Sequence, residues 1–189
     1  MNNILRTALV GAFVVVSFVI VGEAQAASLY FSPSSHTLLK GDAMKLSVRL
    51  DTDEVAEECV NAVDAVINYP VGIEPVDISI GSSIFRMWVE EPVIDRDNRQ
   101  ITFAGGIPNG YCGRIAGDPR VTNSLVDIIF RSPGTTIGVS ESVDQAIITF
   151  GDESTAYLND GFGTKADLRT LPATIELSQS TGGEQQNPW

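Results

Sequence analysis

Histidine and cysteine are nearly missing from this chain, which has one His (His36) and two Cys (Cys59 and Cys112) in 189 residues. A Cys/His zinc site needs four ligands, usually in closely spaced pairs, and no CxxC pair occurs, so no metal ligand is assigned. A Ser–His–Asp triad would have to use His36, which lies in the polar run Ser34-Ser35-His36-Thr37, and no GxSxG elbow presents a serine to it. No catalytic residue is assigned, and the expectation is that the protein is not an enzyme. Glycoside hydrolysis needs only a pair of carboxylates. The residue to watch is Asp64, which interrupts an apolar strand, and alternation places it outward. Basic residues are also scarce. Twelve Lys and Arg stand against 24 Asp and Glu, a net charge of −12. Phosphate binding is driven by Lys and Arg, so this balance excludes nucleic acid and anionic lipid surfaces as partners. No stretch of the chain shows capped helical periodicity.

The longest apolar run, residues 7–22, is 16 residues long, short of the roughly 20 that cross a bilayer as a helix. Arg6 precedes it. Glu23-Ala24-Gln25-Ala26 follows, with small residues at −3 and −1 of a cut between Ala26 and Ala27. That order reads as a secretory signal peptide over residues 1–26; the rival is an uncleaved anchor, the only case in which the protein contacts a membrane. The expected location is secreted, extracellular or on the cell surface. In that compartment Cys59 and Cys112 read as a disulfide, with two buried free thiols as the alternative. Closing a loop of 53 residues would stabilise the fold by about 4 kcal/mol in the chain-entropy model.

The rest of the chain is a series of short extended runs between turns. Residues 44–51 alternate strictly, with Met44, Leu46, Val48 and Leu50 on one face. In residues 60–69 the set Asn61, Val63, Ala65, Ile67 and Tyr69 is the expected core face. Pro75 marks residues 73–80 as an edge strand or a bulge. Residues 85–90 and 93–95 read as separate short pieces around Pro92. Residues 96–99 read as a hairpin turn into residues 100–105. Residues 106–123, rich in Gly and Pro, read as a long loop that the disulfide would pin to the strand starting at Val60. Further strands are expected at 28–32, 125–130, 135–139, 145–150, 156–158 and 173–177. About ten strands with regular turns predict an all-β sandwich over residues 27–177, followed by a flexible polar tail, 178–189.

Several of these pieces, in this order, carry a family resemblance. They are Lys40-Gly41-Asp42 before the 44–51 strand, Val60-Asn61-Ala62-Val63 running to Ile67-Asn68-Tyr69-Pro70, and Ile101-Thr102-Phe103-Ala104-Gly105-Gly106. The 125–130 strand before Ser132-Pro133-Gly134 follows, then Tyr157-Leu158-Asn159-Asp160-Gly161 with Gly163-Thr164-Lys165-Ala166. Over residues 28–177 the chain resembles the cohesin-like modules of the broad group that includes the family 2 and family 3 carbohydrate-binding modules. The resemblance implies a nine-stranded jelly-roll sandwich, of immunoglobulin-like two-sheet form, that binds without catalysing. Cohesins bind dockerin modules through a sheet face, and their relatives bind polysaccharide through aromatic strips. The disulfide and the long 106–123 loop depart from the cohesin pattern.

Two partner classes follow. A protein partner, dockerin-like, requires an exposed sheet face of mixed apolar and polar side chains. A polysaccharide requires exposed aromatics in a row. The candidates for that are Trp88, which alternation groups with Arg86 and Glu90 on the polar side, then Tyr111 and Tyr157, with Phe162 behind them. No cofactor is assigned. A structural calcium would have only the oxygen-rich stretches 51–54 and Asn159-Asp160-Gly161, and neither has the spacing of an EF-type loop.

Overall fold

A computed structural model describes residues 27–52, 59–114, 122–133 and 145–178. All regular elements among them are strands: β1 (Ala27–Ser32), β2 (Ser35–Leu39), β3 (Ala43–Thr52), β4 (Val60–Asn68), β5 (Glu74–Ser79), β6 (Met87–Asp95), β7 (Gln100–Tyr111), β8 (Ser124–Arg131), β9 (Gln145–Phe150), β10 (Thr155–Leu158), β11 (Leu168–Leu171) and β12 (Ala173–Ser178). They form a two-sheet sandwich. The smaller sheet has the order β11-β1-β3-β8-β5, and the larger has β2-β12-β9-β4-β7-β6 with β10 on β4. The expected signal segment and its Ala26 cut, the acidic stretch 53–58, the strand expected at 135–139 and the tail beyond Ser178 lie outside the described residues.

Twelve segments replace the nine or ten expected because three extended runs are interrupted. β1 leaves the smaller sheet, where it pairs with β3 and β11, and continues as β2 beside β12 in the larger sheet. β11 passes into β12 in the same way. Pro33 and Pro172 stand at the two crossovers, where a residue without an N–H ends one ladder and lets the chain start another. β9 and β10 both lie on β4, on either side of residues 151–154. Joining each pair leaves nine strands. His36 therefore lies in strand β2 rather than in a polar loop; a five-residue run paired only across a crossover has no period long enough to betray it.

Three other readings change. β7 does not end at Gly105 but runs to Tyr111, so the first part of the expected 106–123 loop is strand. Its pairing with β4 passes from Ala62↔Gly106 to Val60↔Tyr111, leaving residues 107–110 bulged out. Gly110 takes a positive φ of 72° there, and a Cβ at this point would meet Asn159 and the Cys59 side chain. Residues 85–90 and 93–95 are not two pieces. One strand, β6, runs through Pro92 with irregularities between Trp88 and Glu90 and between Glu90 and Val93. It is tolerated because β6 is the sheet edge, where a missing N–H costs no ladder bond. β5 is also an edge, bulged beside Pro75 as its sequence predicts.

The core lies between the sheets. Alternation delivers Leu46, Val48 and Leu50 from β3, Val63, Ala65 and Ile67 from β4, and Ile101 and Phe103 from β7, all essentially buried. Phe31 and Phe150 stack across the sandwich with centroids 4.4 Å apart. Burying side chains of this size contributes about 1.5–3 kcal/mol each relative to exposure. Cys59 and Cys112 are bonded, joining the start of β4 to the end of β7.

Candidate binding face of the larger sheet

What the larger sheet buries decides what it shows. With Val63, Ala65 and Ile67 turned inward, β4 points Ala62, Asp64, Val66 and Asn68 outward. Register extends this set sideways. Ala62, Asp64, Val66 and Asn68 lie opposite Gly106, Ala104, Thr102 and Gln100 of β7. Gly106, Ala104 and Thr102 in turn lie opposite Met87, Glu90 and Val93 of β6. Ile147 of β9 faces outward beside Thr174 of β12. The middle of the face is lined by small residues, Ala62, Ala104 and Gly106. Around it stand large apolar side chains that water reaches freely, with Val89 80%, Met87 58%, Val93 51% and Ile147 49% exposed. Between them run polar cross-strand pairs. Gln100 Nε2 donates to Asn68 Oδ1 at 3.0 Å, and Thr102 Oγ1 donates to Glu90 Oε1 at 3.2 Å.

The aromatic candidates do not come together. Trp88 is turned toward the core, opposite in sense to the sequence expectation. Its ring stands perpendicular to Phe85 at 5.0 Å and lies 6.5 Å from Phe103. The reason is a slot over Gly105, where Phe85 packs so closely that a Cβ would collide with its ring. With Trp88 filling the space beside that ring, Met87 and Val89 are left on the solvent side. Tyr111 is buried to 9% exposure at the end of β7, and its hydroxyl has no hydrogen-bond partner among the described residues. Burial, reinforced by the negative charge of Asp51, pushes its phenol well above the ordinary value. Tyr157 alone is on the outer face, paired with Ala62. Phe162 is 90% exposed beyond the end of β10.

The acidic candidates are scattered. Asp64 faces solvent on the sheet. Asp160 holds its own turn. Its carboxylate accepts from the Phe162 N–H at 2.8 Å, and the Thr164 hydroxyl, followed by that amide, draws its pKa below the usual range. Of the 51–54 stretch, residues 53 and 54 are outside the described residues. On the opposite sheet Asp127 is enclosed. It accepts from Ser47 Oγ at 2.5 Å, Ser82 Oγ at 3.1 Å and Lys45 Nζ at 3.3 Å. Burial works to raise its pKa, yet these three donors together hold it below the usual carboxylate value.

The residues that sequence reasoning passed over are Met87, Val89, Val93 and Ile147. The signal available for them was the alternation of β7, whose Thr102, Ala104 and Gly106 oppose a core set and so define a flat outer row.

No protein-family model matches the chain, and no curated protein matches it in sequence. Its fold does match solved structures. One is the type I cohesin–dockerin complex Coh-OlpC–Doc435 from Clostridium thermocellum, with a TM-score of 0.59 and 16% identity over 82% of this chain and 96% of that one. Another is the sixth cohesin of scaffoldin B from Acetivibrio cellulolyticus, solved with a Cel5 dockerin, with a TM-score of 0.58 and 11% identity over 82% of this chain and 100% of that one. A third is the cohesin module of a family 33 glycoside hydrolase from Clostridium perfringens, with a TM-score of 0.52 and 8% identity over 83% of this chain and 98% of that one. The β-sandwich of this chain is a cohesin-like fold.

Proposed function

We propose that the protein is a non-catalytic, extracytoplasmic recognition module that binds a protein partner, of the dockerin kind, through the outer face of the larger sheet. The observation that carries this reading is the make-up of that face, with exposed Met87, Val89, Val93 and Ile147 around a flat centre of small residues, interleaved with hydrogen-bonded polar pairs. Exposed apolar side chains grouped on one sheet face mark interaction surfaces. Two of the similar cohesin structures were solved with dockerins, which supports the same class of partner. The disulfide supports an oxidising compartment. In this reading residues 1–26 are a signal peptide cut before Ala27, whose side chain is already packed in β1; residues 27–177 are the module and 178–189 a linker. Kinship with the family 2 and family 3 carbohydrate-binding modules belongs to the reading at the level of ancestry. Polysaccharide binding is less favoured, because Trp88 packs inward and, among the aromatics of the described residues, Tyr157 alone shares the face.

The test is calorimetric titration of the disulfide-bonded protein with a type I dockerin module, beside retention on insoluble polysaccharides. Dockerin binding that Ala104→Arg abolishes is expected. Retention on polysaccharide that Tyr157→Ala removes, with no dockerin binding, would overturn the reading.

A further inference from the structure

The seven strands of the larger sheet contain five carboxylates, Asp64, Glu90, Glu91, Asp95 and Glu176, and not one Lys or Arg. The smaller sheet is balanced, with Lys45, Arg49, Arg131 and Arg169 against Asp51, Glu74, Asp77 and Asp127. The acidity of the whole chain does not explain this, since the cations present in strands all lie on one side of the sandwich. Two of the cations at the rim are engaged elsewhere. Arg96 donates to the Pro75 carbonyl at 3.3 Å. Arg99 donates to the carbonyls of Tyr69, Pro70 and Ile73 and lies over the Tyr69 ring. Both guanidiniums are drawn toward the β4–β5 connection, away from the sheet face. The remaining cations near the face stand at its margins, Lys165 opposite Tyr157 at one end and exposed Arg86 just before Met87 at the β6 edge.

Placement sharpens the point. Asp64 and Glu90 lie opposite Ala104 from its two sides, which puts two carboxylates across the flat centre at a Cα separation of about 10 Å, twice the inter-strand spacing. Glu90 is held in place by Thr102. Glu176, two strands from Asp64, accepts from Thr37 at 3.5 Å on the same side of the sheet.

We infer that the partner of this face is cationic, a protein surface with Lys or Arg spaced around a small apolar patch, so that its ammonium or guanidinium groups meet Asp64 and Glu90 while its apolar side chains meet Met87, Val93 and Ala104. This rests on the protein-recognition reading above and adds the partner's charge to it. A preponderance of like charges on one face steers an oppositely charged partner and raises its on-rate by about 10- to 1000-fold at low salt. It also repels a second copy of the same face, which keeps the module from pairing with itself.

The experiment uses the isotope-labelled, disulfide-bonded full chain, with an amphipathic peptide of Lys, Ala and Leu as probe and the same peptide with Glu for every Lys as control. The Lys peptide is expected to shift amides of β4, β6 and β7 around Asp64, Thr102 and Glu90. That binding should weaken several-fold between low salt and about 0.3 M, where the screening length is only a few ångströms, and about tenfold in Asp64→Asn/Glu90→Gln. Equal binding of the Glu peptide, shifts centred on Glu74 and Asp77 of the smaller sheet, or no effect of the double substitution would overturn the inference. A dockerin titration separates the two readings. Dockerin binding that is indifferent to salt and to Asp64→Asn/Glu90→Gln overturns the cationic partner and leaves the module reading intact. Localised binding of the Lys peptide without any dockerin binding supports the cationic partner and removes the dockerin.

Discussion

Two carboxylates on opposite sheets show how differently the two sides of the sandwich are built. Asp127, on the smaller sheet, is surrounded by Ser47, Ser82 and Lys45, with loop residue Ser82 lying over it. Asp64, on the larger sheet, has only Ala104 and Thr155 opposite it and water above. A carboxylate taken out of water must be supplied with donors or its burial destabilises the fold. One left in water costs the fold nothing and keeps its charge for a partner. The smaller sheet encloses its carboxylate among donors, and the larger sheet leaves Asp64 in water.

The largest test of that contrast acts on the larger sheet's internal support. Replacing both cysteines by serine removes the link between β4 and β7 and should cost about 4 kcal/mol of stability in urea denaturation. Hydrogen exchange should quicken first at the Val60 and Tyr111 end, leaving the β3–β8 ladder comparatively protected. Next is Gly105→Ala. The added methyl runs into the Phe85 ring, and the expected cost is about 1–3 kcal/mol. A changed Trp88 emission should report that the slot has opened; an unchanged spectrum and stability would deny that this slot is what turns Trp88 inward.

Asp127→Asn should cost about 1–3 kcal/mol near neutral pH, since it weakens bonds to a charged acceptor. The sign with pH follows from the direction of its shift. The folded value lies below the ordinary carboxylate value of 3.8, so the ionised group stabilises the fold above that pH. The contribution is lost as pH falls through the folded value. The gap between wild type and Asp127→Asn should therefore close in acid-unfolding curves below about pH 4. The smallest stability effect is expected from Asp64→Asn/Glu90→Gln, within about 0.5 kcal/mol, although the same pair has the largest expected effect on binding. A marked loss of stability there would mean that the larger sheet also uses its acids internally.

How far the residues alone lead can be judged strand by strand. The alternation of residues 44–51 and 63–69 is enough to assign β3, β4 and their buried faces, because one solvated and one buried face leave a period of two in the sequence. It fails at the start of β4, where the bulge between Val60 and Ala62 buries Val60 and leaves the expected core residue Asn61 partly exposed. Pro75 is enough to put β5 at an edge. Trp88 shows where this stops. Alternation groups it with Arg86 and Glu90 and against Phe85, yet Phe85 and Trp88 both pack inward while Glu90 faces out. The irregularity between Trp88 and Glu90 breaks the period, so the period alone could not choose the side Trp88 takes. That choice was made by Phe85 packing over Gly105, a contact between residues 20 apart in the chain. β7 beyond Gly105 was hidden for a related reason. Gly106, Pro108 and Gly110 read locally as loop, and only the pairing of Val60 with Tyr111 beside the disulfide holds the chain extended there.

Composition and period by themselves determined that this is an all-β sandwich in an acidic chain, because strand alternation and charge are local or additive properties. The Cys59–Cys112 bond, open to a free-thiol alternative in the sequence, is settled by the structure. The tertiary structure decided which sheet face carries the exposed apolar side chains and the carboxylates. It sent the strand cations to the smaller sheet and turned the one strand tryptophan inward. It also laid Asp64 and Glu90 on either side of Ala104. Those are outcomes of register and sheet order, which depend on residues far apart in the chain and leave no pattern in any short stretch of it.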